Sequence, residues 1–75
     1  MPRIKSKTRN DKLTPREIRY IKLCAYGYTD PEIAVKLKIS YSTVLNIGWI
    51  TRQKTETSNR AHLVGWAYRE GVLTC

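Results

Sequence analysis

Ser40, Ser42 and Thr43 place three hydroxyls within four residues, at the point where a helix-like segment begins. Hydroxyls at a helix N-terminus can bond phosphate oxygens, and the helix dipole favours the same anions there. Asn46 lies one turn further on. Its carboxamide is of the type that bonds adenine through two hydrogen bonds, although an ordinary solvent-facing helix residue reads equally well. Lys36 and Lys54 flank the segment. By charge and placement they are candidates for phosphate contacts, with simple solvation as the alternative. Nothing comparable supports catalysis. There is one histidine, His62, no glycine-rich phosphate loop and no nucleophile beside a base. Helix caps and solvation account for the acids Asp11, Glu17, Asp30, Glu32, Glu56 and Glu70. No enzyme activity, metal site, cofactor or small-molecule ligand is therefore expected.

The charge agrees with a polyanionic partner. Fourteen Lys and Arg against six Asp and Glu give the 75-residue chain a net charge of +8, which points first to nucleic acid. Half of that excess lies in residues 1–12, where Arg3, Lys5, Lys7, Arg9 and Lys12 face Asp11 alone. This stretch reads as a flexible basic arm. It either binds a nucleic-acid backbone or only aids solubility. Residues 13–75 read as one small domain, whose modest core a second copy could supplement.

Cys24 sits among apolar residues and reads as a buried, inert thiol, and Cys75 is the last residue. Neither belongs to a CxxC pair, and a disulfide between them has no support, so a cytoplasmic location is expected. No apolar run has the length of a membrane span, and no signal-peptide core follows the basic start.

The elements that must position these residues are marked by their starts. Thr14-Pro15-Arg16-Glu17 and Thr29-Asp30-Pro31-Glu32 each have the form of a capping box with proline in the first turn. The first predicts a helix to about Tyr26, ended by Gly27, with Tyr20, Ile21 and Cys24 inward and Leu13 packed just before it. The second predicts a short helix with Ile33, Ala34 and Leu37 inward. Ile39 should anchor the turn and Ser40 should cap a third helix, about 41–54. After a polar connection at 55–58, Ser58 or Asn59 starts a fourth helix that Gly71 ends. Its apolar face is Leu63, Val64, Ala67 and Tyr68, and Val72 and Leu73 trail back towards the core. The fold class is all-α, and the short join between the second and third helices suits a helix-turn-helix unit.

Placed residues strengthen this reading. "LTPREIRYIKLCAYGYTDPEIAVKLKIS", followed by "STV" and "SNRAHLVGWAYREGVL", resembles the LuxR- or GerE-type helix-turn-helix domain over residues 13–73 without a gap. The length is similar to that of stand-alone, GerE-like members. The resemblance implies a four-helix, dimeric DNA-binding regulator of transcription from a bacterium or phage. In that family the third helix reads the major groove and the fourth forms the dimer contact. By position, the resemblance puts Leu45, Asn46 and Trp49 at base-facing sites and Thr43 and Arg60 at backbone-contacting sites. Residues Leu63, Trp66, Ala67 and Tyr68 of the fourth helix become candidates for a dimer interface, because two apolar stripes on one short helix exceed what one core can use. Double-stranded DNA and a second copy are the expected partners, with another transcription factor or RNA polymerase as further candidates.

The departures from the family are confined to residues 45–57. Leu45 and Ile47 stand where the family has Lys or another polar residue and His. Trp49 replaces a residue that is often polar. Thr51 and Thr55 replace core Ile and Leu, Glu56 replaces a turn glycine, and Thr57 replaces an apolar residue. Two accounts are open. In one, the third helix is rotated so that Ile47 and Ile50 do the core work. In the other, Leu45 and Trp49 remain exposed, facing thymine methyls and base edges or gripping a protein. The corresponding alternative function is an inhibitor or co-regulator that binds a protein through Leu45, Ile47 and Trp49. Gly48, in mid-helix, costs on the order of 1 kcal/mol relative to alanine unless a close helix approach requires it.

Overall fold

The computed structural model describes residues 13–73, so the basic arm, Thr74 and Cys75 lie outside the described residues. Four helices follow one another: α1 (Pro15–Ala25), α2 (Asp30–Leu37), α3 (Tyr41–Thr55) and α4 (Arg60–Arg69). The fold is all-α, and every pair of helices except α2 and α4 is in contact. Both capping boxes form. Thr14 accepts from the Glu17 amide while Glu17 accepts from the Thr14 amide, and Thr29 and Glu32 do the same. Ser40 caps α3 and Asn59 caps α4 through their side-chain oxygens.

All four helices end in one way. The amide after a left-handed residue bonds five residues back, as in Tyr28 to Leu23, Ile39 to Ala34, Thr57 to Arg52 and Val72 to Ala67. The left-handed residues are Gly27, Lys38, Glu56 and Gly71. Glycine adopts that conformation without steric penalty, whereas Lys38 and Glu56 carry a Cβ that disfavours it. The turn at Glu56 thus keeps its geometry without the glycine that the resemblance puts there.

The core gathers Leu13, Tyr20, Ile21 and Cys24 with Ile33, Ala34, Val44, Ile47, Leu63, Trp66, Ala67 and Leu73. The chain therefore trails back at Leu73 as expected. Ile39 is half-buried against the core.

The third helix resolves the sequence's ambiguity. Its inward residues are Val44, Ile47, Gly48, Thr51 and Thr55, a regular helical register. Thr51 is fully buried and Thr55 and Thr57 nearly so. The threonines themselves occupy the core positions, and Ile47 packs beside them rather than in their place. Thr51 Oγ1 donates to the Ile47 carbonyl at 2.7 Å, and Thr55 Oγ1 lies 2.9 Å from the Thr51 carbonyl and 3.0 Å from Thr57 Oγ1. Each hydroxyl is satisfied within its own segment, which is how a polar group is tolerated in a core.

Gly48 is the close-approach residue. A Cβ there would sit 2.6 Å from Tyr20 Oη and 3.1 Å from Tyr20 Cζ. Tyr20 is buried and cannot swing away. Gly48→Ala should therefore destabilise the fold by about 1–3 kcal/mol despite alanine's better helix propensity, read as a lower midpoint in urea denaturation. Glu56→Gly should act in the opposite direction, raising stability by about 1 kcal/mol as the left-handed penalty is removed.

Candidate nucleic-acid interface

The outward face of α3 carries Tyr41, Leu45 and Trp49 at one-turn intervals, 51%, 44% and 57% exposed. Asn46, Ser42 and Gln53 lie beside them and are also exposed. Leu45, Asn46 and Trp49 thus share the open surface that their positions in the sequence suggested. Ile47 does not. It is 7% exposed, so the expected apolar trio of Leu45, Ile47 and Trp49 is corrected to Tyr41, Leu45 and Trp49. Tyr41 was legible in the sequence as the residue four before Leu45.

At the start of α3, Ser40 Oγ lies 2.7 Å from Thr43 Oγ1 and 3.2 Å from Ser42 Oγ, and accepts from the Thr43 amide. The three hydroxyls form one exposed cluster at the positive end of the helix dipole.

Several cations expected at a phosphate backbone have internal partners. Lys54 Nζ lies 2.9 and 3.0 Å from the two carboxylate oxygens of the buried Glu17. It therefore ties the last turn of α3 to the capping box of α1. Arg60 donates to the Tyr28 carbonyl, and its Nη1 lies 3.8 Å from Asp30 Oδ1, an oxygen with no hydrogen-bond partner. This joins the start of α4 to the turn between α1 and α2. Lys36 is exposed, with its ammonium 4.9 Å from the centre of the Tyr28 ring, a cation–π contact. His62, on the surface, accepts from the Ser58 amide at Nδ1.

The dimer candidates on α4 also need correction. Leu63, Trp66 and Ala67 are buried within the domain's own core, which leaves only Tyr68, 43% exposed. One core does absorb most of the apolar surface of α4, because the helix packs on both α1 and α3. The sequence did not reveal the groove between α1 and α2. Arg19, Lys22, Leu23 and Tyr26 line it with Lys36 and without an acid. The spacing of Arg19, Lys22 and Tyr26 along one helix stripe was the available signal.

Two buried groups titrate abnormally. Burial pushes the Tyr20 hydroxyl well above the ordinary tyrosine value, and the neighbouring Cys24 adds to the effect. Burial also raises the Cys24 thiol, which is a free cysteine. Both stay neutral near pH 7, and Cys24 is not activated as a nucleophile.

This geometry, two helices joined by a three-residue turn with an exposed face on the second, coincides with a family match. The model of bacterial regulatory proteins of the luxR family, GerE, matches residues 11–67. The chain belongs to the LuxR family. No curated protein and no solved structure gives a significant match. The family consists of DNA-binding regulators of transcription rather than enzymes, so this LuxR-family domain is a helix-turn-helix protein that binds double-stranded DNA. No helix among the described residues is long and apolar enough to cross a membrane.

The internal partner of Lys54 has a measurable consequence. Lys54→Ala should leave the buried Glu17 carboxylate short of a donor and destabilise the domain by about 1–3 kcal/mol. Lys36→Ala, at an exposed site, should leave the melting temperature within experimental error.

Proposed function

We propose that this LuxR-family chain is a sequence-specific regulator of transcription that acts as a dimer and lays α3 in the major groove. The family match across α2, the turn and α3 carries the reading. The exposed hydroxyl cluster of Ser40, Ser42 and Thr43 suits phosphate at the groove edge, and Leu45, Asn46 and Trp49 would face bases. Lys36 and the α1–α2 groove offer further cations to the backbone. Lys54 and Arg60 would contribute through their positive potential rather than as free reaching side chains, given their partners Glu17, Tyr28 and Asp30. Residues 1–12 would serve as a basic arm joined to a domain of 13–75, adding non-specific backbone affinity. For the dimer, the surface of α4 that remains is Ala61, Val64, Gly65 and Tyr68, one helical stripe of exposed or half-buried residues. A cytoplasmic location follows from this activity.

A second reading rests on the exposed Tyr41, Leu45 and Trp49. Such a stripe could grip a protein, for example another transcription factor or RNA polymerase, because large aromatic anchors dominate protein interfaces. Trp49→Ala separates the two. The groove reading expects DNA affinity to fall several-fold, and the protein reading expects it to be unchanged.

Selection of bound sequences from a random duplex pool tests the main reading, with a defined and roughly palindromic motif as the expected result. Binding to the selected duplex should weaken with salt, with a log–log slope of roughly −0.9 per neutralised phosphate. A pool that returns no motif, or no binding at low salt, counts against it. Loss of most affinity on deleting residues 1–12 would instead identify a non-specific binder led by the arm.

A further inference from the structure

The outward face of α3 is uncharged. No charged residue occurs from Tyr41 to Thr51. The two cations further along the helix turn aside. Arg52 is half-buried, and its Nη1 lies 3.2 Å from where a Cβ on Gly48 would sit, on the side of α3 that meets α1. Lys54 is held by Glu17. What remains outward is uncharged: Tyr41, Leu45 and Trp49 with the amides Asn46 and Gln53 and the hydroxyl of Ser42, which bonds either kind of base pair and so does not discriminate.

This composition discriminates among bases. In the major groove, guanine is read chiefly by Arg or Lys at O6 and N7, and cytosine by Asp or Glu at its amino group. Adenine is read by Asn or Gln at N6 and N7, and thymine by apolar contact with its C5-methyl. The α3 surface lacks both reader types for a G·C pair and holds both for an A·T pair.

We infer that α3 selects A·T pairs, with Leu45 and Trp49 packing on thymine C5-methyl groups and Asn46 bonding adenine. This deepens the groove reading above and rests on it. Leu45 and Trp49 together supply the apolar area, and residues 41–51 of α3 carry no cation to compete for guanine. The remaining positive charge acts on phosphates and carries no sequence information.

The test uses the full chain and the duplex selected from the random pool, made with thymine or with deoxyuridine. Deoxyuridine keeps the base pairing and removes only the methyl. The selected motif is expected to be dominated by A·T pairs. Affinity for the deoxyuridine duplex should fall about fourfold for each contacted methyl, from the transfer value of one buried methylene. Leu45→Ala and Trp49→Ala should each move the thymine-to-deoxyuridine ratio towards one. Both sites are exposed, so the melting temperatures of these variants should match the wild type. The variants are needed because removing methyls also alters duplex deformability, and that effect would persist in them. A G·C-rich motif, equal binding to both duplexes, or a ratio unchanged in both variants overturns the methyl readout while leaving DNA binding intact. Absence of binding to any duplex at low salt overturns the readout together with the groove assignment.

Discussion

The contact between Gly48 and Tyr20 governs the rest of the structure. With no side chain at Gly48, α3 approaches α1 closely enough for the tyrosine hydroxyl to fill the space that a Cβ would need. That places one edge of α3 inward and fixes the helix about its axis. Val44, Ile47, Thr51 and Thr55 follow Gly48 into the core, and Tyr41, Leu45 and Trp49 are left facing out. The surface offered to a ligand is thus a consequence of a packing contact on the opposite side of the helix. Tyr20 remains neutral in this setting because burial disfavours its ionised form.

The buried threonines are compatible with that arrangement because each finds a hydrogen-bond partner nearby. A threonine hydroxyl in a helix can return to the carbonyl four residues back, so Thr51 and Thr55 fill core positions without leaving an unsatisfied donor. Their smaller apolar volume, compared with isoleucine or leucine, is part of a wider pattern. The domain's cohesion relies on polar ties between segments as well as on its core. Lys54 with Glu17 joins α3 to α1, and Arg60 with Tyr28 and Asp30 joins α4 to the first turn. Basic residues that resemble DNA contacts in the sequence are in these cases also structural.

Much of the fold was legible in the chain alone. The two threonine–proline–glutamate boxes, Ser40, Asn59, Gly27 and Gly71 marked the helix boundaries to within a residue or two, because caps and left-handed turns are local chemistry. Lys38 and Glu56 also adopt the left-handed conformation, and no residue preference announced either. The exposure of Leu45 and Trp49 was foreseeable from their family positions. Whether Leu63, Trp66 and Ala67 would serve the domain's own core or a second copy was not, since an apolar helix face reads alike whether it meets its own chain or another.

The sequence by itself determined the helix count and order, the family, and an uncharged stretch at the centre of the third helix, because these depend on residue type and spacing. Only the tertiary structure decided which face of that helix is open, that the threonines rather than a rotated Ile47 and Ile50 complete the core, and that Lys54 and Arg60 are internally paired. Those outcomes depend on Gly48 meeting Tyr20 and on carboxylate and carbonyl groups distant in sequence, with Glu17 37 residues from Lys54. A local pattern does not encode such long-range steric and electrostatic partners.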